Sequence, residues 1–102
     1  MTIYNKLVRD KIPEIMLSKG ETPITKILSD MEYISYLENK LDEEVTEFHN
    51  SKELEELADI LEVVYALCEC KEYSVDELLS VYQKKHESRG GFSKKIFLIG
   101  KE

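Results

Sequence analysis

The fold is decided by the stretch KLDEEVTEFHNSKELEELADILEVVYALC, residues 40–68 of a chain of 102 residues. In its first half Leu41, Val45 and Phe48 recur every three or four residues, which is the spacing of one helix face. Its second half, from Leu57 to Cys68, is apolar on nearly every side. A helix of that kind must be covered all round. We therefore predict two consecutive helices, and a homodimer or homotetramer packed through the second one.

The first of these helices has a clear start. Ser29 and Glu32 form a capping-box pattern, and the apolar stripe then begins with Met31, Ile34 and Leu37. The residues 49–51 interrupt the stripe, so we expect the helix to break there and Ser51 to cap the next one.

Two more helices flank this pair. The first is predicted from Asp10, as its N-cap, to near Gly20, because proline is tolerated in a first turn and Pro13 stands there. The last is predicted from Ser74 to Gly90, with an inward face formed by Val75, Leu78, Leu79 and Tyr82.

The segments 22–28 and 95–99 are rich in β-branched and aromatic residues. We expect an extended connection or short strand in the former, with a short C-terminal strand beside it in the latter. The prediction is thus an all-α, four-helix bundle-like protomer with one short strand, forming a single domain over residues 1–102.

Composition narrows the class of protein. The charged fraction of 34% and the apolar fraction of 42% are ordinary for a globular chain, and the net charge of -7 argues against a nucleic acid polymer as partner. There is no apolar run of membrane length and no secretory segment. Cys68 and Cys70 are two residues apart on a helix, so they cannot pair with each other. We expect reduced cysteines in a cytoplasmic protein, with Cys68 in the core.

Two acidic pairs are the candidates for chemistry. Glu44 and Glu47 are three residues apart, as are Glu56 and Asp59, so each pair lies on one helix face. The short connection makes the helices antiparallel and brings the pairs together. Converging carboxylates require a positive charge, and oxygen ligands select Mg²⁺ or Mn²⁺. The alternative is a merely solvated acidic face. A di-iron centre would need Glu-x-x-His pairs, and the chain has none.

These residues resemble a known motif. Glu43-Glu44-x-x-Glu47 followed by Glu56-x-x-Asp59 is similar to the signature of the all-α NTP pyrophosphohydrolases, which include MazG, dimeric dUTPases and phosphoribosyl-ATP pyrophosphohydrolase. The opening KLVRDKIP (residues 6–13) and the closing residues 84–92, which end in RGGF, resemble the small single-domain proteins of the phosphoribosyl-ATP pyrophosphohydrolase-like subgroup.

The resemblance implies a dimeric or tetrameric enzyme that uses magnesium to cleave a nucleoside triphosphate between its α- and β-phosphates. Glu44, Glu47, Glu56 and Asp59 would then bind the metal, and Glu43 would orient or deprotonate the attacking water. The catalytic set would be Glu43, Glu44 and Glu47, in a nucleotide-pool house-cleaning role. Two alternatives stay open: the phosphoribosyl-ATP pyrophosphohydrolase of histidine biosynthesis, and a non-catalytic helical oligomer that senses nucleotides or binds a protein.

Basic residues are the candidates for substrate contacts: Lys84, Lys85, Arg89, Arg9 and Lys40. The first three precede Gly90-Gly91, where backbone can approach a ligand closely. They suit phosphate, since arginine binds it with two donors and lysine as a point charge. Cations at a helix C-terminus also stabilise the helix dipole without any ligand. The base and sugar of the substrate, and the number of metal ions, stay open.

Overall fold

The chain forms four α-helices and no strand in the computed structural model, which describes residues 1–102. The helices are α1 (Ile12–Ser18), α2 (Asp30–Ser51), α3 (Leu54–Cys70) and α4 (Val75–Arg89). The all-α, four-helix prediction is confirmed. None of the helices combines the length and the apolar character needed to span a bilayer.

Serine caps open the second and fourth helices as predicted. The hydroxyl of Ser29 accepts from the backbone N–H of Glu32 at 3.2 Å, and the Glu32 carboxylate accepts from the backbone N–H of Ser29 at the same distance. Ser74 caps α4 by accepting from the backbone N–H of Glu77 at 3.0 Å. The fourth helix ends at Gly90, whose φ of 78° lies in the left-handed region where a side chain would be strained.

Two helix starts differ from the prediction. Asp10 does not cap α1, because a turn in which the Ile12 N–H donates to the Arg9 carbonyl precedes the helix and makes Lys11 its N-cap. Residues 49–51 do not break α2 either. With no glycine or proline there, the helix continues to Ser51 and is ended by Lys52, whose φ of 60° reverses the chain. Glu53 is the N-cap of α3, and the Ser51 hydroxyl accepts from its backbone N–H at 3.3 Å.

The predicted C-terminal strand is wrong. Residues 95–99 and 22–28 form no strand, and no backbone hydrogen bond joins them. A strand exists only when a neighbour satisfies its backbone groups, and the protomer supplies none. The apolar side chains from Ile96 to Ile99 are left exposed.

Helix packing is concentrated on one hairpin. The main helix contact in the chain is between α2 and α3, which are joined by two residues. α4 packs only on α3, and α1 packs on no other helix. Only Leu37, Val63 and Glu44 are buried. The predicted inward residues Leu79 and Tyr82 are exposed, as is Met31. Both cysteines are free thiols, and Cys68 is half-buried rather than in a core.

The protomer therefore exposes more surface than its size accounts for. Its accessible surface is 9363 Å², whereas a folded monomer of 11.9 kDa has about 6000 Å². Its radius of gyration is 18.0 Å, against about 13 Å for a compact chain of this length. One hairpin with flanking segments does not close a core of its own.

Candidate metal centre

The α2–α3 hairpin brings all four predicted metal ligands together. Glu44 and Glu47 lie in the last turns of α2, and Glu56 and Asp59 in the first turns of α3. One carboxylate oxygen of each residue lies within 4.8 Å of those of the other three. We call these four residues the acidic cluster. Their convergence follows from the i,i+3 spacing within each helix and from the two-residue connection between the helices.

Glu44 is the innermost member of the acidic cluster. Its residue is only 7% exposed, and its Oε2 atom is buried without a hydrogen-bond partner. Its other oxygen, Oε1, lies 3.5 Å from Lys40 Nζ. An unsatisfied buried oxygen costs about 1–3 kcal/mol, and more when it carries charge. The fold therefore presents a carboxylate oxygen that is short of one positive or donor partner.

Burial and like charge both make ionisation of the cluster harder. The pKa of Glu44 is raised first by desolvation and then by the adjacent Glu47, while Lys40 acts in the opposite direction. The pKa of Glu56 is also raised, by desolvation and then by the charges of Glu47 and Asp59. Two like unit charges 4 Å apart repel by roughly 4 kcal/mol at an effective dielectric constant of about 20. A cation between the carboxylates removes this repulsion.

Lys40 is one of two cations in contact with this region. Its Nζ lies 3.3 Å from Glu43 Oε1 and 3.5 Å from Glu44 Oε1, and its side chain is mostly buried. The pairing arises because residues three and four apart share a helix face. Lys40 was predicted as a substrate contact, and the structure places it as the counter-ion of Glu43 and Glu44.

Arg9 is the other cation. Its Nη2 donates to Asp59 Oδ1 at 2.7 Å, across fifty residues of sequence. The contact attaches the N-terminal segment to the acidic cluster, and no sequence spacing indicates it. Ser51 is a second contact that sequence reasoning missed: its hydroxyl lies 3.4 Å from Glu56 Oε1 and lowers the pKa of that carboxyl.

The remaining basic candidates are not brought to the acidic cluster. Lys84, Lys85 and Arg89 are exposed on the second half of α4 and form no ion pair with any carboxylate. Arg89 instead lines an open cleft of about 410 Å³ together with residues 90–96, which include Lys94 and Lys95 but no acid. Of the five predicted phosphate contacts, Arg9 and Lys40 therefore lie near the carboxylates. Lys84, Lys85 and Arg89 do not.

A second open cleft lies beside the second half of α3, and no residue of the acidic cluster lines it. It has a volume of about 520 Å³, and its lining includes Asp10, Tyr33, Glu62 and Tyr65. Asp10 follows the arginine that contacts Asp59, and Glu62 lies one helical turn beyond Asp59. The pKa of Tyr33 is raised by desolvation and then by the charges of Cys70 and Asp10. This cleft offers aromatic faces and acceptor oxygens.

The donor set of the acidic cluster fits a hard divalent cation. Oxygen-only ligands suit Mg²⁺, Mn²⁺ or Ca²⁺ rather than zinc. Ligands on opposite sides of a magnesium ion are about 4.2 Å apart, because each bond is about 2.1 Å long. The cluster oxygens lie within 4.8 Å of one another, which is close to that value. The cluster can therefore hold a metal ion, with Glu44 Oε2 as its least satisfied ligand atom.

Comparison with known proteins assigns no activity. A protein of Mycolicibacterium smegmatis, described as uncharacterized, is 55% identical to this chain over 42 residues. The matched region covers 41% of this chain and 43% of that protein, so the similarity spans less than half of either. No family model matches the chain, and no solved structure matches it significantly.

Proposed function

We propose that the protein is a Mg²⁺-dependent nucleoside triphosphate pyrophosphohydrolase that cleaves between the α- and β-phosphates and releases a nucleoside monophosphate and pyrophosphate. The observation that carries the proposal is the buried, unpartnered Glu44 Oε2 within a cluster of four carboxylates spanning 4.8 Å. On a purely solvated acidic face every carboxylate would be hydrated, whereas here the carboxylate of Glu44 is shielded from water.

Magnesium, or manganese in its place, is the cation proposed for Glu44, Glu47, Glu56 and Asp59. Bound there, it would neutralise charge on the phosphates and make a water molecule more acidic. Glu43 is half-buried and held by Lys40 at 3.3 Å. Its proposed role is to orient the attacking water and accept its proton. Lys40 then has a positioning role, since it fixes the carboxylate of Glu43 beside that of Glu44.

The triphosphate is assigned to Arg9, which contacts Asp59, and the nucleoside to the cleft along the second half of α3. Arg9, with its planar pair of donors, is suited to exchange Asp59 for a phosphate once a metal ion occupies the cluster. That cleft, with Tyr33 and Tyr65, has the aromatic surface on which a base can stack. A nucleotide-pool house-cleaning role in the cytoplasm and a homo-oligomeric state belong to the same proposal.

The deciding experiment incubates the purified protein with each common ribo- and deoxyribonucleoside triphosphate and Mg²⁺, and separates pyrophosphate from orthophosphate. The proposal expects pyrophosphate with a monophosphate. It also expects that Glu56→Gln abolishes turnover while Glu55→Gln, which changes the exposed neighbour outside the acidic cluster, retains it. Orthophosphate, or equal turnover by the two variants, would contradict the proposed reaction. Metal-dependent nucleotide binding without turnover would favour a non-catalytic nucleotide sensor.

A further inference from the structure

The chain that follows α4 exposes a concentrated apolar surface. Its last backbone hydrogen bond joins the Lys95 N–H to the Phe92 carbonyl at 3.0 Å, and no backbone group of residues 96–102 hydrogen-bonds within the chain. Five large apolar side chains of this stretch are each more than 80% exposed: Phe92, Ile96, Phe97, Leu98 and Ile99. Contiguous exposed apolar residues of this kind mark a contact with a protein or with a lipid surface.

Positive charge surrounds these apolar residues. Residues 84–102, which we call the basic C-terminal segment, contain six lysines and arginines against two glutamates, a formal charge of +4 in a chain whose total is -7. None of the six cations takes part in an ion pair within the chain. Arg89, Lys94 and Lys95 line the open cleft of about 410 Å³, which contains no acidic residue. The charge complement of this surface is therefore an anionic partner.

The order of the apolar residues indicates the kind of anionic partner. Residues 96–99 lie outside every helix and are all apolar. In an extended chain successive side chains point to opposite sides, so a run of this kind is apolar on both sides. A protein surface packed against one side leaves the other side in water, and stacked nucleic acid bases would cover only the aromatic rings. A lipid surface surrounds an inserted segment and covers both sides at once.

We infer that the basic C-terminal segment binds the protein to an anionic lipid surface, with Phe92 and the residues 96–99 between the headgroups and the acyl chains. Lys94, Lys95 and Lys101 flank the apolar run, and lysine can lay its stem on apolar surface while its charge reaches a lipid phosphate. Four extended residues reach about 13 Å, whereas the hydrocarbon core is about 30 Å thick. The segment therefore lies in the interfacial region, where water and headgroups can satisfy its free backbone groups.

The acidity of the rest of the chain does not prevent this contact. α4 has Asp76 and Glu77 in its first turn and Arg89 at its end. Its 15 residues make it about 22 Å long, which is more than twice the Debye length of about 8 Å in physiological salt. A lipid surface that contacts the end of α4 is thus screened from the acidic residues at its start. The inference is independent of the proposed function, because it uses no residue of the acidic cluster.

Flotation with lipid vesicles tests the inference. The protein must float with vesicles of phosphatidylcholine and phosphatidylglycerol, and far less with vesicles of phosphatidylcholine alone. Replacing Lys94 and Lys95 by glutamine must weaken binding about 25-fold, since each basic residue near an anionic surface strengthens it about five-fold. The matched control replaces Lys11 and Lys19, which are exposed and form no ion pair, and it must bind like the wild type.

The apolar contribution is tested in the same assay. Phe97→Ser combined with Ile99→Ser must abolish flotation, whereas Ile24→Ser combined with Ile27→Ser, at exposed positions outside the segment, must leave it unchanged. A wild-type protein that does not float with the anionic vesicles, or that floats equally with both kinds, overturns the inference. An equal loss in either control variant also overturns it.

A single tryptophan separates lipid from a second copy of the chain as the partner. The chain has no tryptophan, so the fluorescence of a Phe97→Trp variant reports on this position alone. Its emission must be that of a water-exposed ring without vesicles and must shift to the blue with anionic vesicles. Tyr73→Trp, exposed just before the start of α4, must show no shift. A Phe97→Trp emission that is already blue-shifted without vesicles, and unchanged by them, would mean that another copy covers the segment, and the inference is then overturned.

Discussion

The Arg9 guanidinium donates to the Asp59 carboxylate at 2.7 Å, although fifty residues separate them in the chain. It gives the acidic cluster a positive partner from outside the hairpin and attaches the N-terminal segment to α3. Both side chains are about half exposed, so the pair itself contributes little to stability. Its importance is that Arg9 contacts a carboxylate of the acidic cluster, where it would compete with the proposed metal ion.

Arg9→Ala should therefore strengthen metal binding in the absence of nucleotide. Removing a competing cation should tighten Mn²⁺ binding about two- to five-fold at low salt, the equivalent of at most about 1 kcal/mol. The gain should shrink at high ionic strength, where exposed charges are screened. Titration calorimetry measures the Mn²⁺ affinity at low and at high ionic strength. Lys11→Ala, which removes an exposed charge without an ion pair, is the control, and an equal change in that variant would show that only net charge matters.

Glu44→Gln should stabilise the metal-free protein. Burial and the adjacent Glu47 raise the pKa of Glu44, so its charge opposes folding at neutral pH, and a glutamine amide can donate to Glu47 instead. We expect a gain of about 1 kcal/mol, or roughly 5 °C in Tm, in EDTA. Added Mg²⁺ should raise the Tm of the wild type but not of the variant.

Asp42→Asn is the matched control for this measurement, because Asp42 is an exposed carboxylate on the same helix that takes part in no ion pair. It should change the Tm by little in either buffer. A Glu44→Gln variant that is less stable than wild type in EDTA would mean that the Glu44 charge is well satisfied by Lys40 alone. The proposed need for a cation would then lose its main support.

The elements that sequence could predict are those governed by local spacing. Ser29 and Glu32 indicate the start of α2 because a capping box is a contact between residues three apart. The acidic cluster follows in the same way from two i,i+3 pairs and a short connection. The contact of Arg9 with Asp59 was not predictable, because no local rule relates residues fifty apart. The prediction of a strand at residues 95–99 failed for the same reason. β-propensity is a property of one segment, whereas a strand requires a neighbouring strand to pair with.

Ser29→Ala should destabilise the protein by about 1 kcal/mol at neutral pH, because the cap of the longest helix loses its acceptor. The cost should depend on pH. The pKa of Glu32 is lowered by the Ser29 backbone N–H, then by the Ser29 hydroxyl and by Lys26, from an ordinary value of 4.5. A lowered carboxyl pKa gives stability that is present above that value and lost as the pH falls below it. Thermal melts at pH 7 and pH 3 should show a smaller stability difference between wild type and variant at pH 3, and a constant difference would exclude a contribution of the Glu32 charge through the Ser29 hydroxyl.

The ion pair of Lys40 and Glu44 allows a test of what compensates the negative charge of the site in the absence of metal. Lys40→Met keeps the apolar stem of the side chain and removes its charge, leaving Glu43 and Glu44 without their counter-ion. In EDTA we expect a loss of about 1–2 kcal/mol, between the values for exposed and for fully buried pairs. Saturating Mg²⁺ should reduce this loss, since the metal supplies the missing positive charge.

The Lys40→Met and Glu44→Gln double variant separates the effect of the Lys40 charge on Glu44 from its effect on Glu43. If Lys40 acts mainly by compensating the buried Glu44, its substitution should cost much less in the Glu44→Gln background, with a coupling of about 1 kcal/mol by denaturant unfolding. An equal cost in both backgrounds would show that the Lys40 charge acts through Glu43. In that case the buried carboxylate of Glu44 has no effective counter-ion in the metal-free chain, and the need of the site for a cation is greater.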